Sequence, residues 1–354
     1  MKILITGGCG FLGSNVAASY LESGDEVVVI DALFRKGSEL NLKWLEQKGS
    51  SGGLVFYRHD IANRAGLEEI VSRHGPFDYV CHLGGQVAMT TSLEYPQRDM
   101  LTNVVGTFNL LESIRKHSPE AIIAYSSTNK VYGDLEWLDY GESEKRFTLP
   151  AYPDGLDEST PLDFASPYGC SKGSADQYVR DWYRNFGLKT VVFRHSSIYG
   201  GRQFATFDQG WIGWFCQKAV EQGRSMKNGE PIQPFTISGT GKQVRDVLHA
   251  EDIVRLYRAI PECEDFSGGG IYNIGGGMDN SLSLLELFDL LQDILELPEP
   301  LVFERLERRK SDQDFFVADI AKVKAAFGWV PQVTSRDGVS RMLEWVQSNE
   351  DSGK

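Results

Sequence analysis

The chain has 354 residues, 41% hydrophobic and 24% charged, which excludes a disordered chain or a coiled coil and gives length for two lobes. Lys and Arg total 36 against 49 Asp and Glu, and the net charge of −13 has the wrong sign for a general nucleic-acid binder. No apolar run approaches the ~18–20 residues of a membrane span, and five cysteines and six histidines, scattered without CxxC or HxxxH spacing, signal neither a disulfide framework nor a metal site.

The opening Met1-Lys2-Ile3-Leu4-Ile5 reads as a strand over 2–6 and not as a secretory leader, so a soluble cytoplasmic protein with no membrane partner is expected. Residues 11–23 follow with helical spacing at Leu12, Val16, Tyr20 and Leu21. The run Val27-Val28-Val29-Ile30 reads as a strand buried on both faces, and 54–57, 79–83 and 121–126 read alike. Helices are predicted at about 65–73 and 100–116. This alternation predicts an α/β protein with a parallel sheet and crossover helices. Residues 48–53 read as a flexible turn. Residues 134–166 are acidic and rich in Pro and Gly, either a functional mobile loop or a surface excursion. A further strand is expected at 190–193. Residues 200–215 are dense in Gly and aromatics, and 281–297 reads as a helix with Ser283 and Glu286 spaced as a capping box.

Gly7-Gly8-Cys9-Gly10-Phe11-Leu12-Gly13 joins the first strand to the first helix. Glycines at 7, 10 and 13 permit a sharp turn, let the backbone approach a pyrophosphate and pack the helix on the sheet, with the helix N-terminus facing the phosphates. Asp31 ends the second strand, where a carboxylate binds the adenosine ribose and repels a 2′-phosphate. NAD is therefore expected over NADP, with Arg35 and Lys36 near enough to blunt the preference. Asp60 and Ile61 either border the adenine or merely end the third strand.

Tyr168 and Lys172 lie four apart in Tyr-Gly-Cys-Ser-Lys and share a helix face. A neighbouring ammonium is expected to lower the phenol's pKa and let Tyr168 exchange a proton with a sugar hydroxyl. Ser126-Ser127-Thr128 ends a buried strand, where such folds bind ligands.

Thr6 to Gly13, Asp31, Tyr168 to Lys172 and Ser126-Ser127-Thr128-Asn129-Lys130-Val131-Tyr132-Gly133 resemble the extended short-chain dehydrogenase family, the nucleotide-sugar epimerases and dehydratases, over nearly the whole chain. The resemblance implies a Rossmann-type doubly wound sheet over 1–199 and about 246–273, and a smaller nucleotide-sugar lobe over about 200–245 and 274–354. Thr128 becomes the third catalytic partner of Tyr168 and Lys172. Leu83, Gln86, Asn103 and Ser126, with Tyr168 and Lys172 (the latter on the nicotinamide ribose), complete the expected NAD contacts. Gln86, Thr128, Asn129, His195, Gln209, Lys218, Arg245, Arg309 and Asp312 are the expected substrate contacts, with Arg245-Asp246 and Arg309 near the nucleotide and Asp312 on a ribose. Phe204, Trp211 and Trp214 either wall the substrate pocket or are ordinary core.

Four strings, at 86–92, 127–136, 193–204 and 208–219, resemble the members that invert carbon 2 of a CDP-linked 3,6-dideoxyhexose. The alternative is a carbon-4 or carbon-2 epimerase of a UDP- or GDP-hexose. Dehydratases of the family need an Asp-Glu pair after the active-site Thr; here the pair is Asn129-Lys130, so dehydration is not expected. Gly84-Gly85 departs from an alanine common in relatives and is expected to leave room near the nicotinamide. Family members pair through helices at 100–116 and 167–185, so a homodimer or homotetramer is expected.

Overall fold

The computed structural model describes residues 1–49, 52–309 and 312–349. Of the turn expected at 48–53, Ser50 and Ser51 lie outside the described residues. Seven strands form one parallel sheet: β1 (Lys2–Thr6), β2 (Glu26–Asp31), β3 (Leu54–Arg58), β4 (Tyr79–His82), β5 (Ile122–Thr128), β6 (Lys189–His195) and β7 (Gly270–Ile274). Their order across the sheet is β7-β6-β5-β4-β1-β2-β3. The order in which strands are added reverses between β1 and β4, which opens a crevice beyond the carboxyl ends of those strands.

The apolar run of β2 shows why the sheet is covered on both sides. Val27 and Val29 pack with Val16, Ala17 and Tyr20 of the Phe11–Glu22 helix. Val28 and Ile30 point the other way, into a cluster with Leu110, Leu111 and Ile114 of the Gly106–His117 helix. The helix expected at 100–116 begins instead with a wider π-type turn, Leu101–Val105. Several helices had no counterpart in the sequence reading, among them Ser38–Lys48, Trp211–Asn228, Ala250–Glu262 and Ser335–Ser348.

A second apolar cluster holds the smaller lobe. Phe215, Phe235, Leu287, Phe288, Met342 and Leu343 gather from the Trp211–Asn228, Leu284–Ile294 and Ser335–Ser348 helices and the Phe235–Ser238 strand. The capping box forms as read: Ser283 Oγ accepts from Glu286 N at 3.1 Å, and Glu286 Oε2 accepts from Ser283 N at 2.8 Å. Residues 134–166 are more than a bare surface excursion. Leu135, Leu138, Leu149 and Leu156 are buried against Val244, Phe315 and Phe316, so the segment packs as an arm between the lobes. Among the described residues no helix is long and apolar enough to cross a membrane.

Candidate active site

The turn after β1 is built for close backbone approach. Gly7 has φ +68°, and a Cβ there would lie 2.6 Å from Gly84 Cα; a Cβ at Gly13 would lie 2.1 Å from the Gly7 carbonyl oxygen. The helix that follows has Gly10 at its N-cap with no side-chain cap and no acidic residue in its first turn, so its N–H groups face an anion unopposed. Asp31 stands at the end of β2. Its Oδ1 accepts from Leu33 N at 2.7 Å and its Oδ2 from Cys9 N at 2.9 Å, which fixes the carboxylate at the rim. Arg35 is drawn away, its guanidinium hydrogen-bonded to Gln209 and 3.8 Å from Asp208, so its charge is countered there and does not oppose Asp31. A cleft of about 470 Å³ runs from Asp31, Asp60 and Ile61 past Gly10, Phe11, Leu12 and Gly13 to Leu83, Ser126, Thr128 and Tyr168. A glycine cradle at a helix N-terminus and a fixed carboxylate at the second strand suit the pyrophosphate and adenosine ribose of NAD.

Thr128 closes β5, and Tyr168 and Lys172 lie one turn apart on the Ser166–Phe186 helix. All three are nearly buried. Burial pushes the Tyr168 phenol up to about 12, and a hydrogen bond with Thr128 pulls the other way. The expectation that Lys172 lowers this phenol is corrected by its orientation: its ammonium donates to the Ser126 carbonyl and sits 4.5 Å over the Tyr125 ring. Burial lowers Lys172 to about 8, against the pull of Asp99 and Asp176. His195 Nδ1 meets Ser126 Oγ at 3.1 Å, while its Nε2 is buried with no partner. Burial drives His195 down to about 3, so the ring is neutral and offers the cleft one unsatisfied nitrogen.

A second cavity of about 260 Å³ adjoins the first, and Asn129, Lys130, Trp211, Arg309 and Asp312 line both. Trp211, Trp214, Phe207 and Phe215 give it flat apolar walls, suited to a base. Arg245 donates to Asp312 Oδ1 and to the Gln313 carbonyl, each at 2.8 Å. Arg309 lies 5.0 Å over the Phe207 ring. Burial pushes the Asp312 carboxyl up, but Lys130, Arg245 and Arg309 together hold it below the ordinary range. Asn129 is anchored from behind, with Nδ2 donating to Gln313 Oε1 at 3.0 Å.

Other expected contacts stand elsewhere. Gln86 donates to Asp99 Oδ1 at 2.7 Å and to the Ala88 carbonyl at 2.8 Å, and it is absent from the lining of either cavity. Asn103 accepts from Gln86 N at 2.8 Å and donates to Ser171 Oγ at 2.9 Å, so the pair clamps the loop after β4 to the Tyr168 helix. Gly84 and Gly85 line the cleft, and a Cβ at Gly85 would lie 2.8 Å from Asn103 Oδ1, so glycine there also serves the clamp. Lys218 lies on the Trp211–Asn228 helix, ion-paired with Glu221 at 2.7 Å and outside both linings. Asp246 is turned inward, accepting from the N–H groups of Gly277 and Ala318. Gln209 lines the crevice beside Arg35, and Phe204 lines it as well, its ring pressed on Gly37. The sequence reading missed Phe207 and the positive part played by Lys130, although Lys130 stands two residues past Thr128.

Comparison with known proteins agrees with this geometry. The chain is 55% identical over 348 residues, 98% of its length and 100% of the relative's, to CDP-paratose 2-epimerase of Salmonella typhi. The solved UDP-glucose 4-epimerase of Thermotoga maritima with UDP-glucose superposes with a TM-score of 0.80 at 29% identity, covering 99% of this chain and 100% of that one. The UDP-glucuronic acid 4-epimerase of Bacillus cereus, solved in complex with UDP-glucuronic acid and NAD, gives 0.78 at 25% identity, covering 98% and 99%. The GDP-mannose 4,6 dehydratase family is matched by residues 4–342, and the chain belongs to that family.

Proposed function

We propose that the chain is an NAD-dependent epimerase that inverts carbon 2 of a CDP-3,6-dideoxyhexose, turning CDP-paratose into CDP-tyvelose for surface-polysaccharide synthesis in the cytoplasm. The observation that carries this reading is the buried Thr128-Tyr168-Lys172 group at the dinucleotide crevice, followed by Asn129 and Lys130 where dehydration would need two carboxylates. The full-length identity to a CDP-paratose 2-epimerase supports the choice of carbon and nucleotide.

The sugar's chemistry sets the route. In a 3,6-dideoxyhexose carbon 3 is a methylene, so a ketone at carbon 4 acidifies carbons 3 and 5 and leaves carbon 2 untouched. Oxidation at carbon 2 itself is the direct course. NAD⁺, held by the Gly7–Gly13 turn and Asp31, would supply a reversible hydride acceptor at carbon 2 and a positive ring that would favour the phenolate. Tyr168 Oη takes the proton of the carbon-2 hydroxyl and gives it back to the inverted alcohol. Thr128 holds the reacting oxygen beside that phenol. Arg245 and Arg309 anchor the nucleotide diphosphate while the flat 2-keto sugar turns over. Lys172, tied to the Ser126 carbonyl, braces the end of β5 against the Tyr168 helix.

A second reading, carbon-4 epimerisation of a UDP-sugar, draws on the solved 4-epimerases. One experiment separates them. Purified protein without added cofactor is given CDP-paratose deuterated at carbon 2 in ordinary water. The expected product is CDP-tyvelose that keeps its deuterium; loss of label to solvent would mean enolisation. No conversion, together with turnover of a UDP-hexose at carbon 4, would establish the second reading. We also propose a homodimer or homotetramer through the Gly106–His117 and Ser166–Phe186 helices, the latter exposing Tyr178 and Phe186.

A further inference from the structure

Lys130 is the cation of this site that the mechanism above leaves without a task. It sits in the Asn129–Tyr132 helical turn directly after Thr128 and lines both cavities at their junction. Its Nζ is shut from solvent and has no hydrogen-bond partner. The opposing charge, Asp312 Oδ1, stands 3.5 Å away and is already hydrogen-bonded to Arg245 at 2.8 Å. Burial lowers the Lys130 pKa to about 8, although Asp312 pulls upward. An ammonium with unused donors in a buried place is unfavourable, and an acceptor arriving from outside the chain offsets that penalty.

The substrate's connectivity says which acceptor that is, on the carbon-2 reading proposed above. Carbon 2 is bonded to the anomeric carbon, whose oxygen carries the phosphate. With carbon 2 before Tyr168, an anion therefore lies three bonds from the reacting carbon. The other neighbour, carbon 3, is a methylene and offers no acceptor. With carbon 4 before Tyr168, the phosphate would lie across the ring, and a cation next to Thr128 would have nothing to hold. Arg245 stands on the nucleotide side of this junction, lining the second cavity alone, while Arg309 lines both. The same position carries a carboxylate in the family's dehydratases, where a phosphate this close would be repelled.

We propose that the Lys130 ammonium binds the sugar-linked phosphate beside Thr128 and thereby sets carbon 2, and not carbon 4, before Tyr168. The sugar-linked phosphate is the pivot about which the ketone turns, and Lys130, directly after Thr128, fixes it nearer to the reacting carbon than Arg245 does.

The test compares CDP, which presents this phosphate, with CMP, which lacks it, by calorimetric titration of the NAD-loaded protein. In Lys130→Met, CDP affinity is expected to fall at least ~tenfold, the loss of one charge-assisted hydrogen bond, while CMP affinity stays within ~twofold. KM for CDP-paratose should rise by a similar factor. Equal losses for CDP and CMP, or no loss for CDP, would overturn the assignment, as would an unchanged KM. If the Met variant does not fold, Lys130→Gln is read by the same criteria. Wild-type protein inactive at carbon 2 would refute the proposed function and the selection of carbon 2, whereas the phosphate contact is judged by the contrast between CDP and CMP, measured without turnover.

Discussion

Asp176 and Arg194 form an ion pair directly behind the catalytic strand, and its removal makes the sharpest test of how the site is held. Arg194 Nε lies 2.9 Å from Asp176 Oδ2 and Nη2 3.1 Å from Oδ1, a two-pronged contact between residues 2% and 0% exposed. Asp176 is one turn beyond Lys172 on the same helix and accepts from Ser127 Oγ at 2.9 Å, the residue before Thr128. Arg194 also donates to Tyr132 Oη at 3.0 Å, and Tyr132 donates to Asn273 at 2.7 Å. Asp176→Leu leaves a buried guanidinium with no counter-charge, which costs about 3–5 kcal/mol. Arg194→Met leaves a buried carboxylate and belongs in the same range. The double variant leaves neither charge, so it is expected to lose less than the two singles together, with a coupling of at least ~2 kcal/mol. Urea unfolding followed by tryptophan fluorescence measures all four proteins. A single-variant loss below ~1 kcal/mol, or strictly additive losses, would refute the view that this pair is a buried brace between β5, β6 and the Tyr168 helix.

Tyr168→Phe is expected to lower kcat by ~10²–10⁴-fold and leave CDP affinity within ~twofold; a kcat within tenfold of wild type would remove the phenol from proton transfer. Gly13→Ala places a Cβ 2.1 Å from the Gly7 oxygen and 2.7 Å from Gly8 Cα, both backbone, so the helix must shift at a cost of ~1–3 kcal/mol. The purified variant should carry far less NAD by absorbance, and wild-type loading would contradict the cradle. Burial raises fully buried Asp246 from 3.8 to about 6, and its Oδ1 has no partner. Its folded value lies above its unfolded one, so its contribution to stability is full below pH 3.8 and lost as pH rises through about 6. Asp246→Asn removes that titration. Wild type should therefore lose ~3 kcal/mol relative to the variant between pH ~4 and ~7, with a constant difference above. A difference that is flat over the whole range would contradict the shift.

Local spacing made much of this molecule legible. The glycines at 7, 10 and 13 specify a turn that no other residue fits, because their missing Cβ atoms are what let Gly7, Gly13 and Gly84 meet. The apolar run of β2 announces a strand covered twice, and Ser283 with Glu286 announces a helix start within four residues. The Trp211–Asn228 helix was hidden because it opens in a stretch dense in glycine and aromatics, which carries no helical spacing; Gly213 is tolerated there because the Met342 methyl occupies the space a side chain would need. The arm at 134–166 reads as loop by composition. Leu135, Leu138, Leu149 and Leu156 become core only when Phe315 and Phe316 arrive from the far end of the chain.

What spacing cannot express is how much water a group loses on folding, and the site's protons depend on that. Tyr168 and Lys172 at i and i+4 invite the reading that an ammonium acidifies a phenol. In the folded chain the ammonium is bonded to Ser126 and desolvation dominates, lifting Tyr168 to about 12 and dropping Lys172 to about 8. The phenol therefore rests protonated at neutral pH, and Thr128 is the one neighbour that favours its ionised form. Proton transfer then needs further positive charge beside Oη, which the chain itself does not supply. A phenol of this kind becomes a base when positive charge is brought beside it by what binds in the crevice. That coupling of ionisation to occupancy suits an enzyme that must return to the same sugar whatever it has taken from it.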